Sequence, residues 1–352
     1  MKTYIFLALC LIGIYMPSSA TVFTVSNNQV SPTPFTTISS AVAAASAGDT
    51  IYILGSPTVY DAFTVSKRLV FFGPGFSPDR AGDKLTATVP SITLSSAASG
   101  TEIHGLVING NITAQANLSN VSIIRNKIAG SIGHSISTSY TYTTWVISNN
   151  FFGSSILNAA TSTSYHINVL NTLVENNVVK SSGAVMNNVQ GDKVFQLKNN
   201  VFITSSSAAF TNCKNVILNN NIFINFTSSG LPSDSYAQHN LAYRSGTTLS
   251  ASFFPTGNAL TRDNLINQDP LFATLNPSLA TETDDYTLQQ NSPAINDDQD
   301  WKQMGVFGGN PASNWTYASM PRLPYIHTFR LETTTVPVGG ALKLTIISKK
   351  QN

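Results

Sequence analysis

The sequence predicts an all-β protein built as a solenoid of short stacked strands, with an N-terminal capping helix and a short C-terminal β tail. Two observations lead to this prediction. Apolar residues on both sides of an Asn-rich polar pair recur five times along the middle of the chain. The 352 residues are also 42% hydrophobic and only 10% charged, a composition that excludes a disordered chain. The formal net charge is +2 and no basic run exceeds two residues, so we expect no nucleic-acid partner.

The first twenty residues have the pattern of a secretory signal peptide. Lys2 precedes an apolar stretch from Ile5 to Tyr15, and small residues follow up to Ala20. The stretch is too short to span a bilayer, and no other stretch suggests a transmembrane segment. We therefore expect cleavage after Ala20 and a secreted or cell-surface protein. Cleavage removes Cys10 and leaves Cys213, which we expect to be a buried, inert thiol.

The repeats predict the body of the solenoid. They are Ile123–Ile128, Val146–Phe152, Leu173–Val179, Leu197–Phe202 and Ile217–Phe223. A short segment that is apolar at alternate positions is a strand with one face on a core, and Asn tolerates the left-handed backbone of a sharp bend. Stacking at a near-constant step places equivalent residues in columns. The inward columns are Ile123, Ile147, Val174, Leu197, Leu218 and Ile128, Phe152, Val179, Phe202, Phe223, and the corner column is Asn126, Asn150, Asn177, Asn200, Asn221.

The two ends of the chain predict how the solenoid is closed. Residues from Phe35 to Ala47 place Ile38, Ala41, Val42 and Ala45 at helical spacing, and a strand follows at 50–54. A helix here would cover the open end of the core. Residues 321–352 alternate in the manner of two or three strands. The predicted domains are the signal peptide 1–20, a solenoid of eight to ten coils at 21–320 and the β tail at 321–352.

Three segments carry a resemblance to a known family. They are the stretch from Ile38 to Ile53, the Asn-Asn coils, and a closing segment with Asp285–Leu288, Asn291–Asn296 and Met304–Gly309. Together they resemble the secreted pectate-lyase-like superfamily and are similar to exported Bacteroidetes-type β-helix proteins. The resemblance covers about residues 35 to 310. It implies a single-stranded right-handed parallel β-helix, with the closing segment as its terminal coil. The superfamily holds lyases, hydrolases, epimerases and adhesins, so the resemblance does not imply one function.

The catalytic candidates lie in one outward column. A lyase of this kind needs a Lys or Arg base and a positive group, usually calcium, beside the substrate carboxylate. Glu175 and Lys198 are predicted neighbours on consecutive coils and serve either as an acid–base pair or as an exposed ion pair. Lys198 or Arg125 would be the base. The column is Ile124, Ser148, Glu175, Lys198, Asn219.

The sequence supports a metal site or a glycoside hydrolase site less well than it supports the lyase candidates. Glu175 and Asp192 are the only acids between 121 and 227 and are not at equivalent positions, which disfavours a glycoside hydrolase and a calcium site there. We expect no cofactor, with calcium as the exception if the protein is a lyase. One acidic concentration suits either a cation or turn capping, namely Asp284, Asp285, Asp297, Asp298 and Asp300.

Loop aromatics are the candidate glycan-binding residues. Tyr140, Tyr142, Tyr165 and His166 stand among Ser and Thr before two of the repeats. Amphipathic rings suit sugar stacking, although the same rings could fill a small core under the loop.

The function favoured by the sequence is a secreted or cell-surface protein that binds glycans or acts as an adhesive or structural element without catalysis, as a monomer. The alternative is a polysaccharide-degrading enzyme, a uronate lyase before a glycoside hydrolase. A third hypothesis is a crystalline-surface binder using Ser131, Ser155, Ser182 and Ser205.

Overall fold

The computed structural model describes residues 20–28, 33–77, 85–133, 138–159, 166–192, 194–227, 231–254, 261–276, 280–295, 303–309 and 315, with the backbone of 324–331 and 344–350. Residues 1–19 of the predicted signal peptide and Tyr165 lie outside these residues. The one helix among them, α1, spans Ile38–Ala44 and is too short to cross a membrane.

Among the described residues, thirty-three strands make up almost all of the regular structure. The first part of the chain contains β1 (Val22–Val25), β2 (Thr50–Ile53), β3 (Phe63–Val65), β4 (Val70–Phe72), β5 (Thr88–Val89), β6 (Ile92–Leu94), β7 (Glu102–His104), β8 (Val107–Ile108), β9 (Ile112–Ala114), β10 (Leu118–Ser119), β11 (Ser122–Ile124), β12 (Lys127–Ile128), β13 (Ile132–Gly133), β14 (Tyr140–Thr143), β15 (Val146–Ser148), β16 (Phe151–Phe152) and β17 (Leu157–Asn158). The second part contains β18 (Ile167–Leu170), β19 (Leu173–Glu175), β20 (Val178–Ser181), β21 (Met186–Asn187), β22 (Val189–Gly191), β23 (Gln196–Lys198), β24 (Val201–Thr204), β25 (Phe210–Thr211), β26 (Ile217–Asn219), β27 (Ile222–Ile224), β28 (Tyr236–Gln238), β29 (Leu241–Tyr243), β30 (Thr261–Arg262), β31 (Leu265–Ile266), β32 (Pro324–Leu331) and β33 (Leu344–Lys350).

Strands β1–β31 form a single-stranded right-handed parallel β-helix of about eight turns, as predicted. Equivalent strands of successive coils stack into parallel sheets. Sheet 1 is the longest, with the order β1-β2-β4-β7-β11-β15-β19-β23-β26-β28-β30. Sheet 2 is β5-β8-β12-β16-β20-β24-β27-β29-β31, sheet 3 is β3-β6-β9-β13-β17-β21-β25, and sheet 4 is β10-β14-β18-β22.

The strand register confirms the predicted columns. Ile123 pairs with Ile147, and the column continues through Val174 and Leu197 to Leu218. All five of these side chains are at most 1% exposed. The second inward column, from Ile128 to Phe223, is likewise in register and buried. Burial of these aliphatic and aromatic columns is the main source of stability, since the one cysteine among the described residues, Cys213, is free.

The two Asn residues of each corner have separate roles that the sequence alone did not distinguish. The first residue takes the left-handed backbone, with φ of +57° at Asn149 and +54° at Asn199. The second forms the ladder, because its backbone N–H and its Nδ2 both donate to Oδ1 of the next Asn at 2.9–3.1 Å. The ladder runs from Asn126 to Asn264, two coils past the predicted column.

The helix closes the N-terminal end of the core, as predicted. It begins after Thr37, whose Oγ1 accepts a hydrogen bond from the N–H of Ser40 at 3.2 Å. The predicted apolar face is buried, namely Ile38, Ala41, Val42 and Ala45. The structure adds one strand before the helix, since β1 pairs with β2 and becomes the edge of sheet 1.

The closing segment does not form the expected terminal coil. Residues 270–276, 280–295 and 303–309, here called the strap, fold back over the outer face of sheet 2. Tyr286, Met304 and Val306 bury the outward side chains of that sheet. The covered column is Phe151, Val178, Val201, Ile222, Leu241, each at most 5% exposed. A sheet that is apolar on both faces needs such a cover, and the strap supplies it.

The strap is also tied to the corners of the solenoid. Nδ2 of Asn176 donates to the carbonyl oxygens of Val306 and Gly308 at 2.8 and 3.2 Å. Nδ2 of Asn199 donates to Gln303 O at 3.1 Å, and the N–H of Gly305 donates to Asn220 O at 2.8 Å. Beyond the strap, β32 and β33 form an antiparallel ribbon inside the predicted tail.

Candidate functional site

Glu175 and Lys198 are neighbours on the outer face of sheet 1, as predicted. They pair in register on β19 and β23, between Ser148 and Asn219 of the same column. Burial raises the pKa of the Glu175 carboxyl, and the charge of Lys198 partly opposes this shift. The four ion pairs found among the described residues do not include this pair. The geometry brings the two residues together without assigning them a role.

Arg125 does not join them. It occupies the first corner position of its coil, with φ +57°, and only 7% of its side chain is exposed. The guanidinium is therefore not presented to a sugar on the outer face, which removes Arg125 as a candidate base in this structure.

The predicted aromatic loop is instead a strand. Tyr140–Thr143 forms β14 in sheet 4, where alternate side chains point into the core. Tyr142 is 1% exposed and stacks on Trp145 with ring centroids 4.4 Å apart, so the prediction that it binds glycans at the surface is wrong. Tyr140 and His166 are half-buried and joined through their backbones at 3.3 Å, and their role stays a prediction.

The acidic concentration provides turn capping where the structure describes it. Asp285 Oδ1 accepts from the N–H and hydroxyl of Thr287 at 2.9 and 2.7 Å, and Asp284 accepts from Thr281. Asp297, Asp298 and Asp300 lie outside the described residues. Within the described chain, no three His, Cys, Asp or Glu side chains are grouped so as to hold a metal ion.

The predicted serine array is not continuous. Ile132 pairs with Leu157, so Ser131 stands opposite Ile156 and not opposite Ser155. Ser155 instead donates its hydroxyl to Ala184 O at 2.7 Å.

A groove that the sequence analysis missed runs between the solenoid and the strap. Its volume is about 630 Å³. The solenoid wall carries Lys127, Lys180, Ser182, Ser205 and Asn225, and the strap wall carries Ala280, Thr281 and Glu282. Lys127 Nζ forms an ion pair with Glu282 across the groove. No such partner of Lys180 is found among the described residues.

A second cavity of about 310 Å³ continues the groove toward the C-terminal coils. The two cavities share Asn225 in their walls. The second is lined by Tyr243 and Ser245 of the solenoid and by Asp269–Phe272, Leu275, Asn276 and Gln289 of the last turn and the strap. Tyr243 hydrogen-bonds to Asp269 and Ser245, and burial together with Asp269 raises the pKa of its hydroxyl.

The register gives the direction of the groove. Lys180 pairs with Ile203, Ile203 with Ile224, and Ile224 with Tyr243, so these residues mark four successive coils. Exposed or half-buried polar groups repeat along the wall in the same order, namely Ser182, Ser205, Asn225 and Ser245. The groove therefore follows the solenoid axis and crosses the strands.

One sequence signal could have revealed the strap and the groove beneath it. Two adjacent apolar residues end each of four repeats, as in Phe151-Phe152 and Val178-Val179. Only one residue of each pair can face the core, so the other marks an outer face that must be covered.

No protein-family model, no curated protein and no solved structure matches this chain. The parallel β-helix is compatible with carbohydrate-binding and with lyase-type proteins.

Proposed function

We propose that this protein is a secreted or cell-surface β-helix of the pectate-lyase-like type that binds a polysaccharide in the groove under its strap, without cleaving it. The observation that carries the proposal is the groove itself, which follows the solenoid axis for several coils. Ligand sites are concave and carry a small number of placed polar groups, as this groove does.

The spacing of the wall suits a sugar polymer. Neighbouring strands lie about 4.8 Å apart, so Ser182 and Ser205 follow each other at that interval, and Asn225 stands on the next coil one residue earlier in the register. This interval is close to the length of one sugar unit in an extended polysaccharide. Ser182, Ser205 and Asn225 can each exchange hydrogen bonds with the hydroxyl groups of one unit, and the two lysines add donors.

The state of the carboxylates supports binding over hydrolysis. A glycoside hydrolase needs one carboxyl group as proton donor and a second as base or nucleophile. Glu282 is engaged by Lys127. Asp269 accepts from the N–H of Leu271 at 2.9 Å and hydrogen-bonds to Tyr243. Both carboxylates therefore have structural partners.

One observation favours a second candidate function, a polysaccharide lyase. Lys180 lines the groove without a carboxylate partner among the described residues, and a lysine can take the proton removed in uronate cleavage. Lys198, the base candidate from the sequence, lies on sheet 1 and not in the groove.

The test is retention of the protein, from Thr21 onward, on polygalacturonate, alginate, xylan and β-glucan, with and without calcium, while unsaturated and reducing products are followed. We expect retention without products. Retention should be abolished in Ser205→Trp, which fills the groove, and kept in Ser122→Trp, which adds the same ring to the outer face of sheet 1. Equal retention of both variants would show that the polymer does not bind in the groove.

Release of unsaturated or reducing products would show that the protein is an enzyme. Unsaturated ends that are lost in Lys180→Gln and kept in Lys198→Gln would make the protein a lyase with its base in the groove. Neither retention nor products on any polymer would contradict both functions.

A further inference from the structure

We infer that the cavity at the C-terminal end of the groove binds the terminal sugar unit of a glycan, so that the protein recognises chain ends. This inference rests on the proposed function and specifies how the same groove engages its polymer.

The chain itself closes the groove at this end. Tyr243 lies in register with Asn267, because Ala242 pairs with Ile266. Two residues later, Asp269–Phe272 forms a wall of the cavity. Asn267 is fixed in place by hydrogen bonds between its side chain and the backbone of Leu249 at 2.7 and 3.0 Å. A polymer that lies along the groove meets this wall and cannot continue past it.

The closing wall has a backbone that costs energy to maintain. Leu271 has φ +51°, a left-handed conformation that is unfavourable for a side chain such as leucine. Hydrogen bonds hold it on both sides, since its N–H donates to Asp269 Oδ1 at 2.9 Å and its carbonyl accepts from Gln289 N at 2.8 Å. The Gln289 side chain also donates to Phe272 O at 3.2 Å. Strain that is held in this way concentrates at ligand-binding positions.

The polar groups of the cavity suit a sugar ring better than a charged ligand. Tyr243 and Ser245 contribute hydroxyl groups, and Asn225 and Gln289 contribute amides. These groups both donate and accept, as sugar hydroxyl groups do. Beside its bonds to Leu271 and Tyr243, the Asp269 carboxylate has further acceptor sites and can accept from two neighbouring hydroxyl groups, the arrangement that a terminal unit offers and that is partly lost where the chain is extended. A volume of about 310 Å³ suits a unit of this size.

The experiment compares polymers of one chemistry and different length. Polygalacturonate and xylan are each fractionated into short oligosaccharides and long chains, and binding is measured by titration calorimetry. A site for chain ends binds one protein per chain at every length. A groove that takes chain interiors binds more protein molecules as the chain grows, and this result would overturn the inference while leaving the proposed function intact.

Two tyrosine variants provide the matched comparison. Tyr243→Phe removes one hydroxyl from the cavity and should weaken binding of the short oligosaccharides about tenfold. Tyr236→Phe alters a 39% exposed tyrosine of the preceding strand, on sheet 1, and should leave binding unchanged. Equal affinities of the two variants would contradict the assignment. Failure of the unaltered protein to bind any of the four polymers of the retention test, short or long, would contradict the proposed function as well.

Discussion

Replacement of Asn200 by Ala should destabilise the protein far more than an Asn→Ala change at a half-buried outward position of the next coil. Asn200 is fully buried in the ladder. Its Oδ1 accepts from the N–H and Nδ2 of Asn177, each at 3.0 Å. Its Nδ2 donates to Val174 O and to Asn221 Oδ1, each at 3.0 Å. The variant loses all four hydrogen bonds.

The magnitude follows from the groups that keep no partner. The N–H of Asn177 loses its acceptor, whereas Nδ2 of Asn177 keeps the carbonyl oxygens of Ile147 and Glu175. Val174 O loses its side-chain donor but lies within the pairing of β19 with β23. One buried N–H left unsatisfied costs about 1–3 kcal/mol, so the free energy of unfolding should fall by about 1–3 kcal/mol.

Urea unfolding followed by the fluorescence of the buried Trp145 measures this change. The matched control is Asn219→Ala, at the half-buried outward position of the adjacent strand, where we expect a change of about 0.5 kcal/mol or less. If both variants unfold at the same urea concentration, the ladder does not stabilise the fold and the reasoning fails.

Three further predictions concern the strap, a thiol and a carboxyl group. In urea unfolding, Gly305→Ala should destabilise the protein more than Gly246→Ala. Both glycines have left-handed φ (+76° and +69°), but only the Cβ added at 305 meets the Ile222 side chain, at 2.9 Å. Equal effects would show that the strap does not pack against Ile222. Cys213 is 5% exposed and burial raises its pKa to about 12, so an aromatic disulfide reagent at pH 8 should label it only in urea, and rapid labelling of the folded protein would contradict its burial. The pKa of Glu175 is raised above its ordinary 4.5, so the folded protein holds this proton more tightly than the unfolded chain does. The free energy of unfolding therefore falls as the pH rises above 4.5 and the carboxyl ionises. Glu175→Gln should therefore stabilise by up to about 1 kcal/mol at pH 7 and not at pH 3.5, and equal effects at both pH values would contradict the shift.

The coils could be predicted because a short stretch of sequence specifies each of them. Each Asn pair with its flanking apolar residues defines one corner and two strands, and the repetition fixes the register between coils. The columns from Ile123 to Leu218 and the ladder at Asn200 follow directly from this.

The groove could not be predicted because it depends on contacts between distant parts of the chain. Nothing near Asn176 in the sequence indicates that Val306 will lie against it. The wrong prediction at Tyr142 has a different origin, since it assigns the alternation Tyr-Thr-Tyr-Thr from Tyr140 to Thr143 to a loop. Alternation of period two is the signal of a strand, and it places Tyr142 inside.

The strap can pack only after the coils that it covers have folded. The hydrogen bond from Asn176 to Val306 spans 130 residues, and the ion pair between Lys127 and Glu282 spans 155. Each coil, in contrast, contacts the next one at a distance of only 19–27 residues along the ladder. Coils can therefore form one after another along the chain. Until the strap arrives, the outer face of sheet 2 from Phe151 to Leu241 is an open apolar surface, and this interval is when the chain is most exposed to aggregation.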